Sequence, residues 1–147
     1  MRRPTASDLT LLARMSAWAV ALPVLKFLLP LPRLVRLVTP PRAAERDLAR
    51  ERRVARLAAR LYRTPGLGRD NCLERSLVTY RYLTRSGSDP TLVVGMRKED
   101  ELHGHVWVTV DGRPVHDTPE FLAGFVPLMT FPESAPDAPP AAPTART

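Results

Sequence analysis

The sequence predicts an α+β domain in which helices come first and a small antiparallel sheet follows. Three observations predict it. Apolar residues recur at helical spacing through the first part of the chain and again over 72–85. Beyond residue 90 the apolar period shortens to two, the spacing of a strand. Between the last two alternating segments stands Asp111-Gly112, a hairpin signal. Helices followed by strands, without βαβ alternation, give an α+β arrangement.

The first element is a helix over 7–29, with Ser7 as its N-cap before Asp8. Arg14 and Lys26 interrupt its apolar run and leave only 15–25 uncharged. That is short of the ~20 residues needed to cross hydrocarbon, and Pro23 predicts a kink. No small-x-small cleavage site follows, because the chain continues Lys26-Phe27-Leu28-Leu29-Pro30. The segment therefore reads as a core-facing or partner-facing helix. It is expected to form no transmembrane span, with shallow membrane contact as the second reading. Pro30 and Pro32 break it, a short apolar-basic piece spans 31–38, and Pro40-Pro41 ends that piece.

A helix over 42–63 places Arg42, Arg46, Arg50, Arg53, Arg56 and Arg60 on one face. Ala44, Val54, Ala55, Ala58, Leu61 and Tyr62 lie roughly opposite. A solvated face is the default reading, and a docking strip for an acidic partner is the sharper one. The breaker cluster Thr64-Pro65-Gly66-Leu67-Gly68 follows. Asp70 or Asn71 then caps a helix over 72–85, striped by Leu73, Leu77, Tyr80 and Leu83/Thr84 and closed by Gly87. Strands are predicted over 91–96, 105–110 and 113–117, with a polar loop over 97–104. From residue 132 the Pro/Ala/Ser/Thr composition supports no core and predicts a disordered tail. The organisation is thus an N-terminal apolar helical segment (1–40), a domain over 41–131 and the tail (132–147).

A length of 147 residues suits one domain, and 44% apolar with 25% charged residues is ordinary for a globular protein. The formal net charge of +7 is carried almost wholly by arginine, since only Lys26 and Lys98 are lysines. Charge alone does not make a nucleic-acid binder. The basic helix carries Tyr62 as its one aromatic residue and no recognised fold signature, so no nucleic-acid partner is expected. A single cysteine excludes an internal disulfide and suits a reducing, cytoplasmic setting.

That cysteine, Cys72, opens a helix. Unpaired N–H groups and the macrodipole there favour an anion, so a thiolate is stabilised and a developing oxyanion can be held. Taken by itself, Cys72 equally reads as a small residue under a turn. His105 opens a strand from which an imidazole can lean over the helix terminus, and Asp117 follows on the next strand. Register then matters. A two-residue loop at Asp111-Gly112 sets His105 opposite Thr118, with Asp117 on the wrong face. A three-residue loop, Val110-Asp111-Gly112, with Gly112 left-handed, sets Thr109 opposite Arg113 and His105 opposite Asp117. The catalytic reading demands the three-residue turn. Asp117 then accepts the ring N–H and stabilises the imidazolium. A zinc site built from His103, His105, His116 and Cys72 is the weaker alternative, because there is no second Cys and no H-E-x-x-H or C-x-x-C spacing. No metal and no phosphate-cradling glycine loop or other cofactor site is expected.

The stretches Asn71-Cys72-Leu73-Glu74-Arg75-Ser76-Leu77, Val93-Val94-Gly95-Met96-Arg97-Lys98 and His103-Gly104-His105-Val106-Trp107-Val108-Thr109-Val110-Asp111-Gly112-Arg113-Pro114-Val115, with Asp117, carry a resemblance. Over roughly 45–120 the chain resembles the C-terminal, transglutaminase-like leader peptidase domain of lasso-peptide biosynthesis B proteins. The resemblance implies a papain/transglutaminase-like α+β fold and a triad on Cys72, His105 and Asp117. It implies as substrate a ribosomally made precursor peptide, cut between leader and core. A separate ATP-dependent synthetase would then close the macrolactam. With no strand predicted before residue 90, the chain looks like the stand-alone peptidase half of a split pair, working with a small leader-recognition partner. His103 departs from the family, where a smaller or acidic residue more often precedes His-x-Trp. As the base it would fail to pair with Asp117 by register, so His105 is assigned.

Overall fold

The computed structural model describes residues 5–63 and 71–132. The breaker cluster at 64–68, Asp70 and the tail beyond Pro132 lie outside the described residues. Helices α1 (Ala6–Leu28), α2 (Leu31–Val38), α3 (Leu48–Leu61) and α4 (Cys72–Arg85) are followed by β1 (Thr91–Lys98), β2 (Leu102–Val110) and β3 (Arg113–Pro114). A short helix α5 (Pro119–Leu122) and a strand β4 (Val126–Phe131) complete the order. The sheet is antiparallel, in the order β3-β2-β1-β4. This is an α+β fold, as the change of period along the sequence predicts.

The core forms around α4, whose residues from Ser76 to Tyr80 are all buried. Leu77, Val78, Tyr80 and Leu83 meet Met15, Ala19 and Leu22 of α1, Leu34, Val35 and Val38 of α2, and Val54, Leu57 and Leu61 of α3. Leu92, Val106, Val108 and Phe131 bring the sheet into the same cluster. Alternate residues of the strands, Val93 and Trp107, join Phe125 in a second cluster. α1 is long and apolar enough to cross a membrane by length and composition. Only Met15, Ala19 and Leu22 of it are buried within the protein.

Four boundaries differ from the sequence reading, the simplest being the strand expected over 113–117, which ends at Pro114. The cap of α1 is Thr5, whose hydroxyl accepts the Asp8 N–H at 3.2 Å while its own N–H donates to Asp8 at 3.0 Å. Ser7 lies inside the helix and receives Arg53 at 3.2 Å instead. α3 starts at Leu48, because Asp47 accepts the Arg50 N–H and so caps it there. Arg42 and Arg46 therefore lie on the non-helical segment before α3, paired with Asp89 and with Glu51 and Asp111. The loop expected over 97–104 shrinks to Glu99-Asp100-Glu101, since Lys98 pairs with Leu102 and the exposed polar ends of both strands continue the ladder.

Gly87 ends α4 in a Schellman motif: its N–H donates to Thr84 O at 3.1 Å, and the Ser88 N–H donates to Leu83 O at 3.2 Å. Its φ is +82°, and a Cβ there would lie 2.2 Å from the Glu45 carbonyl oxygen. Gly112 has φ +73° but open space around it. Both Ala variants carry left-handed strain of about 1 kcal/mol. Gly87→Ala adds a backbone overlap, so its loss is expected to reach at least roughly 2 kcal/mol. Denaturant titration of the two variants checks the order; equal losses would deny the overlap its role.

Candidate active site

Cys72 is the first residue of α4, with Asn71 preceding it as N-cap. It is half-buried and packs against the main core. β2 runs antiparallel to β1 with His105 opposite Gly95. A Cβ at Gly95 would lie 2.7 Å from the Trp107 ring, so glycine lets the indole lie against β1. Trp107, two residues on from His105 and on the same face, stacks on the imidazole with centroids 6.0 Å apart. Phe121 and Phe125 flank the imidazole at 5.2 and 5.3 Å. A ring so enclosed has few orientations open to it.

The hairpin turns with the register that the sequence argument had set against the site. Val110 pairs with Arg113 and Thr109 with Pro114, leaving a two-residue turn in which Asp111 and Gly112 both have positive φ, 53° and 73°. The expected three-residue loop is therefore corrected. Asp-Gly is a preferred dipeptide where both central residues of a hairpin take positive φ, and this local preference decides the turn. Asp117 nevertheless reaches the imidazole: His105 Nε2 lies 3.2 Å from Asp117 Oδ2. Register parity governs only residues still in the ladder, and β3 ends at Pro114. The Val115 N–H still donates to Val108 O at 2.9 Å, after which the chain bends away. Two side chains of α4 catch the bent segment. Arg75 Nη2 donates to Asp117 at 3.2 Å, and Thr79 Oγ lies 2.9 Å from His116 Nε2.

Sequence reasoning passed over Arg75 and Thr79. Arg75 is three residues after Cys72 and Thr79 four after Arg75, so all three share one helix face. That spacing is a signal that could have found them. Ser76 adds a further clamp, donating to Val106 O at 2.9 Å and tying β2 to the helix beside the sulfur.

The electrostatics follow from these contacts. Burial pushes the Cys72 thiol up, but hydrogen bonds from His105 and the Val106 backbone outweigh it and hold the thiol below its ordinary value. The hydrogen bond to Asp117, then that to Cys72, raises His105 from 6.5 to about 9. Burial raises Asp117, yet its hydrogen bond to His105 and the charge of Arg75 leave it below the usual carboxylate range. With Nε2 on Asp117, Nδ1 is the ring nitrogen left for the sulfur. The arrangement supports a thiolate beside an imidazolium, a pair suited to nucleophilic attack on a carbonyl.

Among the described residues no three His, Cys, Asp or Glu side chains are arranged to hold a metal ion. His103 is exposed near the start of β2, and His116 faces Thr79 rather than the sulfur. A family model described as the transglutaminase-like superfamily matches residues 12–130. No curated protein and no solved structure matches the chain.

Proposed function

The chain belongs to the transglutaminase-like superfamily, and on that premise we propose that it is a cysteine peptidase that removes the leader from a ribosomally made lasso-peptide precursor. The observation that supports this most is the series of contacts running from Cys72 through His105 to Asp117. The resemblance of 71–77, 93–98 and 103–117 to leader peptidases supplies the substrate class. A small leader-recognition protein presents the precursor, and an ATP-dependent synthetase then acts on the freed core in the cytoplasm.

In this reading Cys72 Sγ attacks the carbonyl carbon of the last leader residue. The oxyanion forms beside the N-terminus of α4, where the Cys72 N–H is one donor. His105 passes its proton to the leaving amine, the C–N bond breaks, and a thioester remains with a neutral imidazole. His105 then takes a proton from water as its oxygen attacks the thioester. Collapse of the second tetrahedral intermediate releases the leader carboxylate and restores thiolate and imidazolium. Asp117 holds Nε2–H throughout, and Arg75 keeps Asp117 ionised and aimed.

The test is precursor, partner protein and full-length chain incubated together, with products weighed by mass spectrometry. Leader and core whose masses sum to precursor plus one water are expected, and Cys72→Ala should yield neither while melting like the wild type. A leader joined to an amine instead of water would make the enzyme an acyl transferase. Cleavage by Cys72→Ala at the wild-type rate would end the proposal.

A further inference from the structure

A groove runs along α1 where it meets the start of α3 and the last turn of α4. Its first part holds about 500 Å³ and is lined by Arg14, Arg50, Arg53 and Arg85, with Asp47 as the acidic lining residue. Its second part, about 460 Å³, shares Arg14, Tyr82 and Arg85 with the first and continues over Ala17, Trp18, Ala21 and Leu25, with Arg81 tied to the Val38 carbonyl oxygen at 2.9 Å. The two parts thus form one channel, basic at one end and apolar at the other.

The basic end is not neutralised from within. Arg53 is committed to Asp8 at 3.1 Å and to Ser7 at 3.2 Å, and the Asp47 carboxylate caps α3. Arg14, Arg50 and Arg85 make no ion pair or side-chain hydrogen bond within the described residues. Three guanidinium groups held around one channel repel each other and favour an anionic occupant, and their fork geometry suits carboxylates in pairs. The apolar end narrows the choice. A nucleic acid would want an open aromatic face for a base, but Arg81 already lies 4.6 Å over the Trp18 ring. A flat bilayer surface does not fill a concave channel. An acidic peptide segment carrying a few apolar side chains matches both ends.

We propose that this channel docks an acidic, partly apolar segment of a partner protein. It lies away from the sulfur: Cys72 and Arg85 are the first and last residues of α4, which at 1.5 Å per residue separates them by about 20 Å. A partner seated there leaves the active site open, which favours a second polypeptide over the scissile segment. The docking does not depend on the peptidase reading, because it uses none of Cys72, His105 or Asp117.

Fluorescence anisotropy of the full-length chain with a fluorescein-labelled twelve-residue peptide of alternating Glu and Leu tests the proposal. Arg14→Gln, Arg50→Gln and Arg85→Gln are each expected to weaken binding about tenfold, the value of one charge-assisted hydrogen bond. Arg33→Gln and Arg36→Gln, on the exposed side of α2, should leave binding unchanged, as should Cys72→Ala. Thermal melting verifies that each variant is folded. A peptide of Gln and Leu should bind at least tenfold more weakly than the Glu-Leu probe. Equal weakening by the α2 variants would reduce the effect to net charge and overturn the groove. So would a polyglutamate of the same length binding as well as the Glu-Leu probe. Displacement of the probe by single-stranded RNA or phosphatidylserine vesicles, at concentrations where inorganic phosphate of equal ionic strength does nothing, would assign the channel to a nucleic acid or a membrane instead.

Discussion

His105→Gln is expected to lower kcat/KM for leader removal by about 10³-fold, with circular dichroism verifying that the variant is folded. Glutamine fills a similar volume and its amide can still donate to Asp117, but it neither takes nor gives a proton at the sulfur. Two steps fail together, departure of the amine and activation of water. A second readout separates this from mere repositioning. Because His105 and the backbone of Val106 hold the Cys72 thiol low, the wild type should react with iodoacetamide at lower pH than a free thiol does. In the variant that reactivity should move to higher pH. The pH profile of the wild type should also fall as His105 loses its proton near pH 9, with the observed value belonging to the Cys72–His105 pair. Unchanged alkylation in His105→Gln would leave the pair without a role.

Asp117→Asn offers a graded comparison. The amide oxygen can accept from Nε2–H, but its NH2 can instead donate to an unprotonated Nε2, so one of its two orientations favours the wrong tautomer of His105. Arg75→Gln removes charge from behind Asp117 without touching the imidazole. Its effect on kcat should be smaller than that of Asp117→Asn, and it should be accompanied by a shift of the acidic limb of the pH profile. A loss equal to that of Asp117→Asn with an unshifted acidic limb would make Arg75 a packing residue only.

The helical half of the fold is legible because periodicity reports which face is buried, and Leu77, Tyr80 and Leu83 are indeed core residues. Its ends are less so. Arg46 lies at a helical interval from Arg50, yet the Asp47 cap and the passage of residues 45–46 beside Gly87 keep it off α3. β4 was hidden for a different reason. Pro127 demotes it to an edge position, and Val126, Leu128 and Met129 are all exposed, so no inside-outside alternation marks it. At the site, the chemistry of a cysteine opening a helix and a histidine on an alternating strand is written in the residues, although that strand begins at Leu102 and not at His105. The route by which Asp117 arrives is not. Parity along β2 and β3 gave a rule for regular ladders, while the meeting depends on a strand too short to obey it and on Arg75 and Thr79 reaching from α4. Such tertiary capture has no period.

Lowering the pH from 6.5 to 4 is expected to cost the wild type roughly 3 kcal/mol more stability than His116→Gln. Burial, then the charge of Arg75, depresses His116 from 6.5 to about 4, against the opposing pull of Asp117. The Thr79 hydroxyl donates its one hydrogen to Arg75 O at 2.8 Å, so its oxygen must accept from His116 Nε2–H. A second proton therefore goes to Nδ1, which has no acceptor among the described residues. Between pH 6.5 and 4 the unfolded chain binds this proton and the native one does not, so stability falls as the pH falls. Above 6.5 two opposite trends meet. His105, raised to about 9, loses its stabilising contribution as the pH climbs, while Cys72, held low, gains one. The depressed carboxylates, Asp117 and Glu51 among them, lose their stabilisation at still lower pH in both proteins and largely cancel in the comparison. Glutamine keeps an N–H for Thr79 but cannot titrate, so the variant should hold its melting temperature where the wild type drops by about 10 °C more. Parallel melting curves across that range would mean that the His116 ring opens to water when it takes its proton, and that Arg75 alone draws Asp117 out of the hairpin.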